Sequence, residues 1–581
     1  MSDKNSKKNV SFMRSLCMGK IAEDVIIPFP KVKDSERDLL LEMGRTLESW
    51  LKDKGHDFRK WDRAGEMPTE FLQEMREMGL FGLIVPEEFG GMGMSNSAYS
   101  RALQELAKYD GSVAITAGAH SSIGMRGLVL FGSDEQKKKY LPKLGTGEMI
   151  AAFCLTEPGA GSDAASIKTT AVKEGNDWIL SGQKLWITNG GIADFFTVFA
   201  KTNTNEGQMT AFIVTKDLAG VTCGPHEDKM GLRASSTTTV SFDKVRVPAA
   251  NVLGEVGKGF KVAMKILNSG RSGLGGGCVG SMKKLIELST KQAKEREQFG
   301  KPIAEYGLIK QKIGHMMVEC YATEAAVSMV GGLSDQGYED YAVEAAISKV
   351  FGTECLWRTV DEALQIAGGN GYMCEFPYER MLRDCRVNRI FEGTNDILRL
   401  FIALTAMNDV GQQLKDVSKS LEGIFNEPIK GFGVFSDYAK KLMSQTTGVG
   451  FSKFTKVNPV LKEHAETFED LTKDLALAAD RIIRKHGKNI IGKQFASKRL
   501  ADIMIDVFVF GCVISRVNSS IEKSGVGPQT QAEMDIIDVF AGQVKRRAKG
   551  NFNKIDNNDD ELIKALADVA LKSEKFPWDT I

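Results

Sequence analysis

The chain of 581 residues reads as a mainly α-helical protein with an inserted β domain. Three observations predict this. Apolar residues recur at helical spacing from Ser35 to about Tyr140; short alternating runs broken by Gly, Asn and Asp fill Ile150 to Leu253; and the helical period returns after Gly259. A chain of this length outgrows a single core, so roughly two to four domains are expected.

The first helical stretch carries Leu39, Leu40, Met43, Leu47 and Leu51, with Asp34 and Ser35 placed as capping residues. It defines an N-terminal helical domain over 1–149. In the middle domain, 150–257, runs such as Phe195-Phe196-Thr197-Val198-Phe199-Ala200 and Thr238-Thr239-Val240-Ser241-Phe242 read as strands. Long helical segments at about 259–299, 307–333 and 339–367, joined by short glycine-bearing turns, predict a four-helix-type bundle within 258–410. The interval Pro428 to Val457, rich in Gly, Ser, Thr and Lys, reads as a poorly ordered connection, and 411–458 is assigned as linker. Helical spacing resumes at about 459 and supplies apolar positions to about 550, enough for a smaller bundle in a C-terminal helical domain, 459–581.

With 42% hydrophobic and 26% charged residues, the composition is that of a soluble globular protein. Lys plus Arg at 76 against Asp plus Glu at 75 gives no basic excess, so nucleic acid is not expected as a partner. Nine scattered cysteines form no C-x-x-C pair, which predicts a reducing compartment, and six dispersed histidines lack metal-ligand spacing, so no metal is assigned. No run approaches membrane-spanning length, and neither a signal-peptide core nor an Arg-rich presequence follows Met1. Cytoplasmic residence in a prokaryote is the expectation, with a processed mitochondrial matrix protein as the alternative.

Five segments carry the chemistry. They are Thr156-Glu157-Pro158-Gly159-Ala160-Gly161-Ser162-Asp163, Trp186-Ile187-Thr188-Asn189-Gly190-Gly191, Arg296-Glu297-Gln298-Phe299-Gly300-Lys301, Gln365-Ile366-Ala367-Gly368-Gly369-Asn370-Gly371-Tyr372 and Ile390-Phe391-Glu392-Gly393-Thr394-Asn395-Asp396. In this order and spacing they resemble the acyl-CoA dehydrogenases, over roughly residues 35 to 407. Within the family the resemblance is closest to the very-long-chain branch and its relative in complex I assembly, whose C-terminal extension corresponds to residues 411–581. The implied fold is a helical domain, a β-barrel-type domain, a four-helix bundle and a further C-terminal helical domain.

Dehydrogenation beside a thioester removes a weakly acidic α proton while a hydride leaves the β carbon, so it needs a base, an oxyanion stabiliser and an oxidant. Glu392, between Phe391 and Gly393, is the candidate base, since an apolar slot raises a carboxylate's pKa and the glycine leaves room for substrate. An isolated F-E-G-T run reads instead as a solvated carboxylate at a helix start capped by Thr394 and Asn395; the accompanying motifs favour the base. Family members with the base elsewhere carry it just before the arginine matching Arg271, and here that position is Gly270.

The resemblance implies FAD as cofactor. Phe153, Leu155, Thr156, Gly161 and Ser162 match the strand and turn that contact the flavin, and Trp186, Ile187 and Thr188 match the loop over one face. Taken alone, either loop reads as a turn cluster with a core tryptophan. Arg296, Gln298, Phe299, Gln365, Gly368 and Gly369 match segments that hold the pyrophosphate and adenosine of a neighbouring subunit's cofactor, which implies a homodimer; Thr394 and Asp396 are assigned to the cofactor as well. An arginine alone at 296 reads as a surface charge. Ser162, Asn268, Arg271 and Gly393 match acyl-CoA contacts, although Arg271 equally suits a structural ion pair. The resemblance implies that the Glu392 backbone N–H and a flavin ribose hydroxyl grip the thioester carbonyl, the removal of one donor costing on the order of 3 kcal/mol. Ala114 and Gly118, four apart on one helix face, stand where medium-chain relatives have bulky polar residues, which suggests long acyl chains; close helix packing explains small residues equally well.

Gly275-Gly276-Gly277-Cys278-Val279-Gly280 fits G-x-G-x-x-G, but no strand precedes it, so it reads as a helix packing site. Gly257-Lys258-Gly259 lacks the rest of a P-loop. Between Gly433 and Lys456, aromatic and apolar residues alternate with lysines, which suggests peripheral membrane contact or a surface loop. The leading reading is oxidation of long-chain acyl-CoA in fatty acid β-oxidation with electrons passed to electron-transferring flavoprotein. An acyl-CoA oxidase or a respiratory-complex assembly protein on the same fold are the alternatives.

Overall fold

The computed structural model describes residues 11–203, 208–412 and 452–580. These divide into two units, one spanning 29–397 and the other combining 10–28 with 398–581. Residues 10–28, expected within the N-terminal domain, therefore belong with the C-terminal unit. Residues 413–451, with most of the stretch considered for membrane contact, lie outside the described residues.

Two short helices, α1 (Phe12–Cys17) and α2 (Glu23–Ile26), precede the first unit. That unit opens with α3 (Asp34–Leu51), α4 (Gly55–Ala64), α5 (Thr69–Glu77), α6 (Asn96–Ala107), α7 (Gly111–Ala119), α8 (Arg126–Phe131) and α9 (Asp134–Thr146). On α3 the buried face is Leu40, Leu47 and Leu51, whereas Leu39 is exposed. Lys33, not Asp34 or Ser35, is the N-cap; Asp34 and Glu36 lie in the first turn, favouring the positive end of the helix. Asp110 caps α7 by accepting from Val113 N at 3.0 Å. Beyond α7 one π-helical turn, His120–Gly124, widens the helix. His120 is fixed there, its Nε2 donating between the carbonyls of Phe81 and Leu144 (3.2 and 3.1 Å) and its Nδ1 accepting from Ala151 N at 2.9 Å.

The β domain is one eight-stranded sheet ordered β6-β7-β3-β2-β4-β5-β8, with β1 parallel to β4. Its strands are β1 (Ala151–Cys154), β2 (Thr170–Glu174), β3 (Asp177–Thr188), β4 (Phe195–Asn203), β5 (Gln208–Thr215), β6 (Val221–His226), β7 (Thr237–Pro248) and β8 (Val252–Leu253). Residues 195–200 of β4 are buried on both faces, which is why that run is continuously apolar rather than alternating.

The unit closes with α10 (Gly259–Glu295), the hairpin β9 (Glu297–Gln298) and β10 (Lys301–Pro302), then α11 (Gly307–Asp335), α12 (Ala342–Ala367), α13 (Gly369–Tyr372), α14 (Tyr378–Arg386) and the start of α15 (Asn395–Ala406). The glycine run is helical, inside α10. A Cβ at Gly276 or Gly280 would overlap the backbone of Ser100 or Gln104 on α6, and one at Gly275 would press on Val327 of α11. The nicotinamide-binding pattern is a packing seam.

In the second unit α16 (Lys462–His486), α17 (Gln494–Ser524) and α18 (Pro528–Asp556) pack together, followed by α19 (Asp560–Ser573), which buries no residue. Phe12 of α1 stacks on Phe468 at 6.3 Å, and Phe468 also meets Phe510 at 6.2 Å, so α1 is part of this core. Among the described residues, no helix is long and apolar enough to cross a membrane.

Candidate active site

Glu392 stands in the turn before α15 with a left-handed backbone, φ 57°, and Gly393 follows at φ 90°. A glutamate in this region is strained and persists only where its surroundings hold it. The hold comes from α12. Lys349, with 0% of its side chain exposed, donates from Nζ to the Gly393 carbonyl at 2.8 Å and to Asn395 Oδ1 at 2.9 Å. Asn395 Nδ2 donates in turn to Thr353 Oγ1 and Glu354 Oε1, both at 3.0 Å, and Glu354 pairs with Arg389 at 3.0 Å. Thr394 caps α15 by accepting from Ile397 N at 3.3 Å, and Asp396 lies exposed in the first turn. Asn395, a cap in the alternative reading of an isolated F-E-G-T run, is a buried bridge. Sequence reasoning missed Lys349; the available signal was a lysine set in the run Ala345-Ala346-Ile347-Ser348 and Val350-Phe351, where a solvated charge has no place.

The carboxylate is unbalanced. Glu392 Oε2 is buried with no hydrogen-bond partner. Burial pushes its pKa up, opposed by the charges of Arg271 and Lys349. Arg271, buried on α10, donates from Nη1 to Asn268 Oδ1 at 2.7 Å while its Nε has no partner. Burial pulls its pKa down to about 10, with the Glu392 charge acting the other way. Buried polar atoms left without partners mark sites where a missing group completes the bonding.

Glu392 opens onto a cavity of about 1060 Å³, counting its mouth. Gly270, Gly273, Gly277, Ser281 and Leu285 form one wall along α10, Ala114 and Gly118 of α7 another. A Cβ at Gly118 or Gly277 would meet a single carbon at 3.8 Å, so both glycines leave the lumen open. From Gly270 to Leu285 the helical rise spans roughly 22 Å. Farther round, Asp110, Arg380 and Asp384 contribute a polar patch; burial and then the Asp110 charge raise the Asp384 pKa to about 7.

Thr188 reaches the same cavity from β3. Beside it Trp186 is 63% exposed with φ 57°, a presented indole rather than a core tryptophan. The side chains of Leu155 and Ile187 are buried in the core, so at these positions the loops offer only backbone; Phe153 is half-buried against Phe199 at 5.1 Å. The turn holding half-buried Thr156 and exposed Gly161 and Ser162 is anchored from below: Lys184 Nζ pairs with Glu157 Oε1 at 2.7 Å and donates to the Leu155 carbonyl at 3.2 Å. Nothing lies within 4 Å of a Cβ built on Gly159 or Gly161. An open glycine turn and an exposed indole next to a cavity shared by Thr188 and Glu392 fit a flat tricyclic ring such as that of FAD.

Arg296, Gln298, Phe299, Gln365, Gly368 and Gly369 are all exposed, and none lines this cavity. Phe299, at the tip of the β9–β10 hairpin, is 95% exposed with φ 54°. Thus the structure gathers Glu392, Thr188, Ala114 and Gly118 at one cavity, with the Asn268–Arg271 pair acting on Glu392, and leaves the second glycine group on a separate surface.

Known families account for this arrangement. Acyl-CoA dehydrogenase N-terminal, middle and C-terminal domain models match residues 40–148, 152–245 and 257–407, and the ACAD9/ACADV C-terminal domain matches 459–575. Human very long-chain specific acyl-CoA dehydrogenase, a mitochondrial protein, is 42% identical over 550 residues, 93% of this chain and 83% of the relative. The chain belongs to the acyl-CoA dehydrogenase family. A probable acyl-CoA dehydrogenase of Bacillus subtilis is 38% identical over 85% of this dehydrogenase and 83% of the relative. The crystal structure of an acyl-CoA dehydrogenase complexed with FAD from Bacillus anthracis superposes with a TM-score of 0.79 at 32% identity, covering 97% of this chain and 96% of that one. The helical, β, helical order expected of an acyl-CoA dehydrogenase agrees with these domain matches.

Proposed function

We propose that this acyl-CoA dehydrogenase oxidises long-chain acyl-CoA thioesters to trans-2-enoyl-CoA in fatty acid β-oxidation, with Glu392 as the base. The observation carrying the proposal is a buried, unpartnered carboxylate oxygen that opens onto a cavity walled by glycines along α10. Burial brings the carboxylate toward the basicity needed to take an α proton, while Arg271 and Lys349 keep a usable fraction ionised. FAD, when bound, supplies the hydride acceptor. Phe153, Leu155, Thr156, Gly161, Ser162, Trp186, Ile187 and Thr188 would hold its ring, with Thr394 and Asp396 assigned nearby. Ser162, Asn268, Arg271 and Gly393 would orient the thioester, and Ala114 and Gly118 would admit a long chain.

The exposed group Arg296, Gln298, Phe299, Gln365, Gly368 and Gly369 would hold the pyrophosphate and adenosine of a second copy's FAD. An arginine fork suits phosphate, and open glycines let backbone amides approach it. The active unit is then a homodimer, and electrons leave to electron-transferring flavoprotein. The test is anaerobic addition of palmitoyl-CoA to the holoenzyme while following the visible absorption of the flavin. Bleaching that disappears in Glu392→Gln is expected; bleaching that persists in the variant removes Glu392 as base. Rapid oxygen consumption without an added acceptor would replace the dehydrogenase reading by an oxidase.

A further inference from the structure

Lys349 acts on Glu392 by charge, but its hydrogen bonds to the turn have no part in the reaction as described. It lies inside α12 with no exposed side-chain surface. A lysine so placed is costly unless its ammonium is bonded, and the acceptors here are the Gly393 carbonyl and Asn395 Oδ1 rather than a carboxylate. Both acceptors flank the Glu392 turn. Both Glu392 and Gly393 have positive φ, so the turn depends on outside contacts for its shape. Lys349 therefore holds the backbone immediately after the carboxylate while its charge acts on that carboxylate.

We propose that Lys349 is a positioning residue for Glu392: its buried ammonium fixes the 392–395 turn through Gly393 and Asn395 and supplies positive charge that favours the ionised carboxylate. The inference rests on Glu392 being the base. The charged and titratable groups facing Lys349 are Glu392 from the turn, Arg271 and Cys278 from α10, and Glu354 from its own helix. Burial draws the Lys349 pKa down to about 7, opposed first by Glu392, so lysine and glutamate exchange influence in the pH range where the base works. Arg271 supplies the second cation, and its hydrogen bond to Asn268 leaves the turn itself to Lys349.

The test compares wild-type holoenzyme with Lys349→Met, Lys349→Gln and Lys349→Arg, using palmitoyl-CoA across a range of pH. Lys349→Gln keeps a donor for the Gly393 carbonyl but removes the charge; Lys349→Arg keeps the charge. Either folded neutral variant is expected to move the acidic limb of kcat/KM upward by about one pH unit and to lower the rate near neutrality about tenfold, with Lys349→Arg restoring the limb. Infrared titration gives a readout independent of turnover. The carboxyl band that disappears in Glu392→Gln should titrate at higher pH in Lys349→Gln than in wild type. A neutral variant that lowers Tm but leaves limb and carboxyl band unmoved overturns the proposal, reducing Lys349 to a packing residue. Undiminished flavin bleaching in Glu392→Gln would instead overturn the underlying base assignment.

Discussion

Two buried lysine–glutamate neighbourhoods of the same unit are built to opposite rules. At the Lys184–Glu157 pair every requirement is met: Glu157 accepts from Lys184 Nζ at 2.7 Å, from Thr169 N at 3.0 Å and from Lys168 N, while Lys184 also reaches the Leu155 carbonyl. At Lys349 and Glu392 the ammonium is spent on backbone and amide oxygens, and a carboxylate oxygen is left bare. The first arrangement holds a loop. The second leaves a carboxylate oxygen bare at the wall of a cavity, as the proposed proton acceptor requires. Pairing fixes Glu157 below the ordinary carboxylate range although burial alone would raise it, whereas at Glu392 burial prevails over both cations.

The contrast is broken most severely at the unpaired member. Glu392→Gln should lower the rate of flavin reduction by palmitoyl-CoA about a thousandfold or more, measured by stopped-flow absorbance, while thermal stability stays level or rises because the burial cost of the carboxylate outweighs its two cations. Glu157→Gln should do the reverse, costing about 3–5 kcal/mol in denaturant unfolding and leaving the kinetic pKa in place. The sign with pH follows from its lowered native pKa. The contribution is present above the unfolded value, about 4.3, and is lost as pH falls through the native one.

His120 sharpens the point as a buried group kept neutral. Burial lowers its pKa to about 4 against hydrogen bonds to Leu144 and Phe81 that raise it. Its contribution is complete above the unfolded pKa, about 6.5, and falls by about 3 kcal/mol as the pH drops toward 4. Denaturant unfolding at several pH values should show this slope in wild type and lose it in His120→Gln. The smallest effect is expected on the α7 wall of the cavity. Gly118→Leu should reduce kcat/KM for palmitoyl-CoA about tenfold to a hundredfold while sparing butyryl-CoA, because the lumen beside Gly118 is open. Equal loss on both substrates would mean that the glycine serves helix packing alone.

Much of this was legible in the sequence because the elements announce themselves by period: α10, α11 and α12 fall close to the three long helical segments, and the β domain occupies the interval where that period stops. Glu392 was legible through its flanking residues and companion loops. What escaped depended on tertiary surroundings. Nothing local distinguishes Lys349 from a surface lysine except the apolar residues on all sides of it. Ser11 to Cys17 is too short and mixed to announce a core helix, yet Phe12 packs in the C-terminal unit. Taken alone Trp186 reads as a core tryptophan, whereas the family resemblance assigns it to the flavin loop, and it stands exposed with a left-handed backbone. The same letters, glycine after glycine on α10, serve close packing on α6 at 276 and 280 and an open wall at 277, where a Cβ would meet only Ala107 at 3.8 Å.

The central claim is that the bare oxygen of Glu392 takes the α proton. The direct measurement is loss of deuterium from palmitoyl-CoA labelled at the α carbon, followed by mass spectrometry in the holoenzyme and in Glu392→Gln under conditions where both bind the thioester. Removal of the label by wild type and its retention by the variant is the predicted result. Equal loss of label from both would contradict the assignment and place the base on another residue.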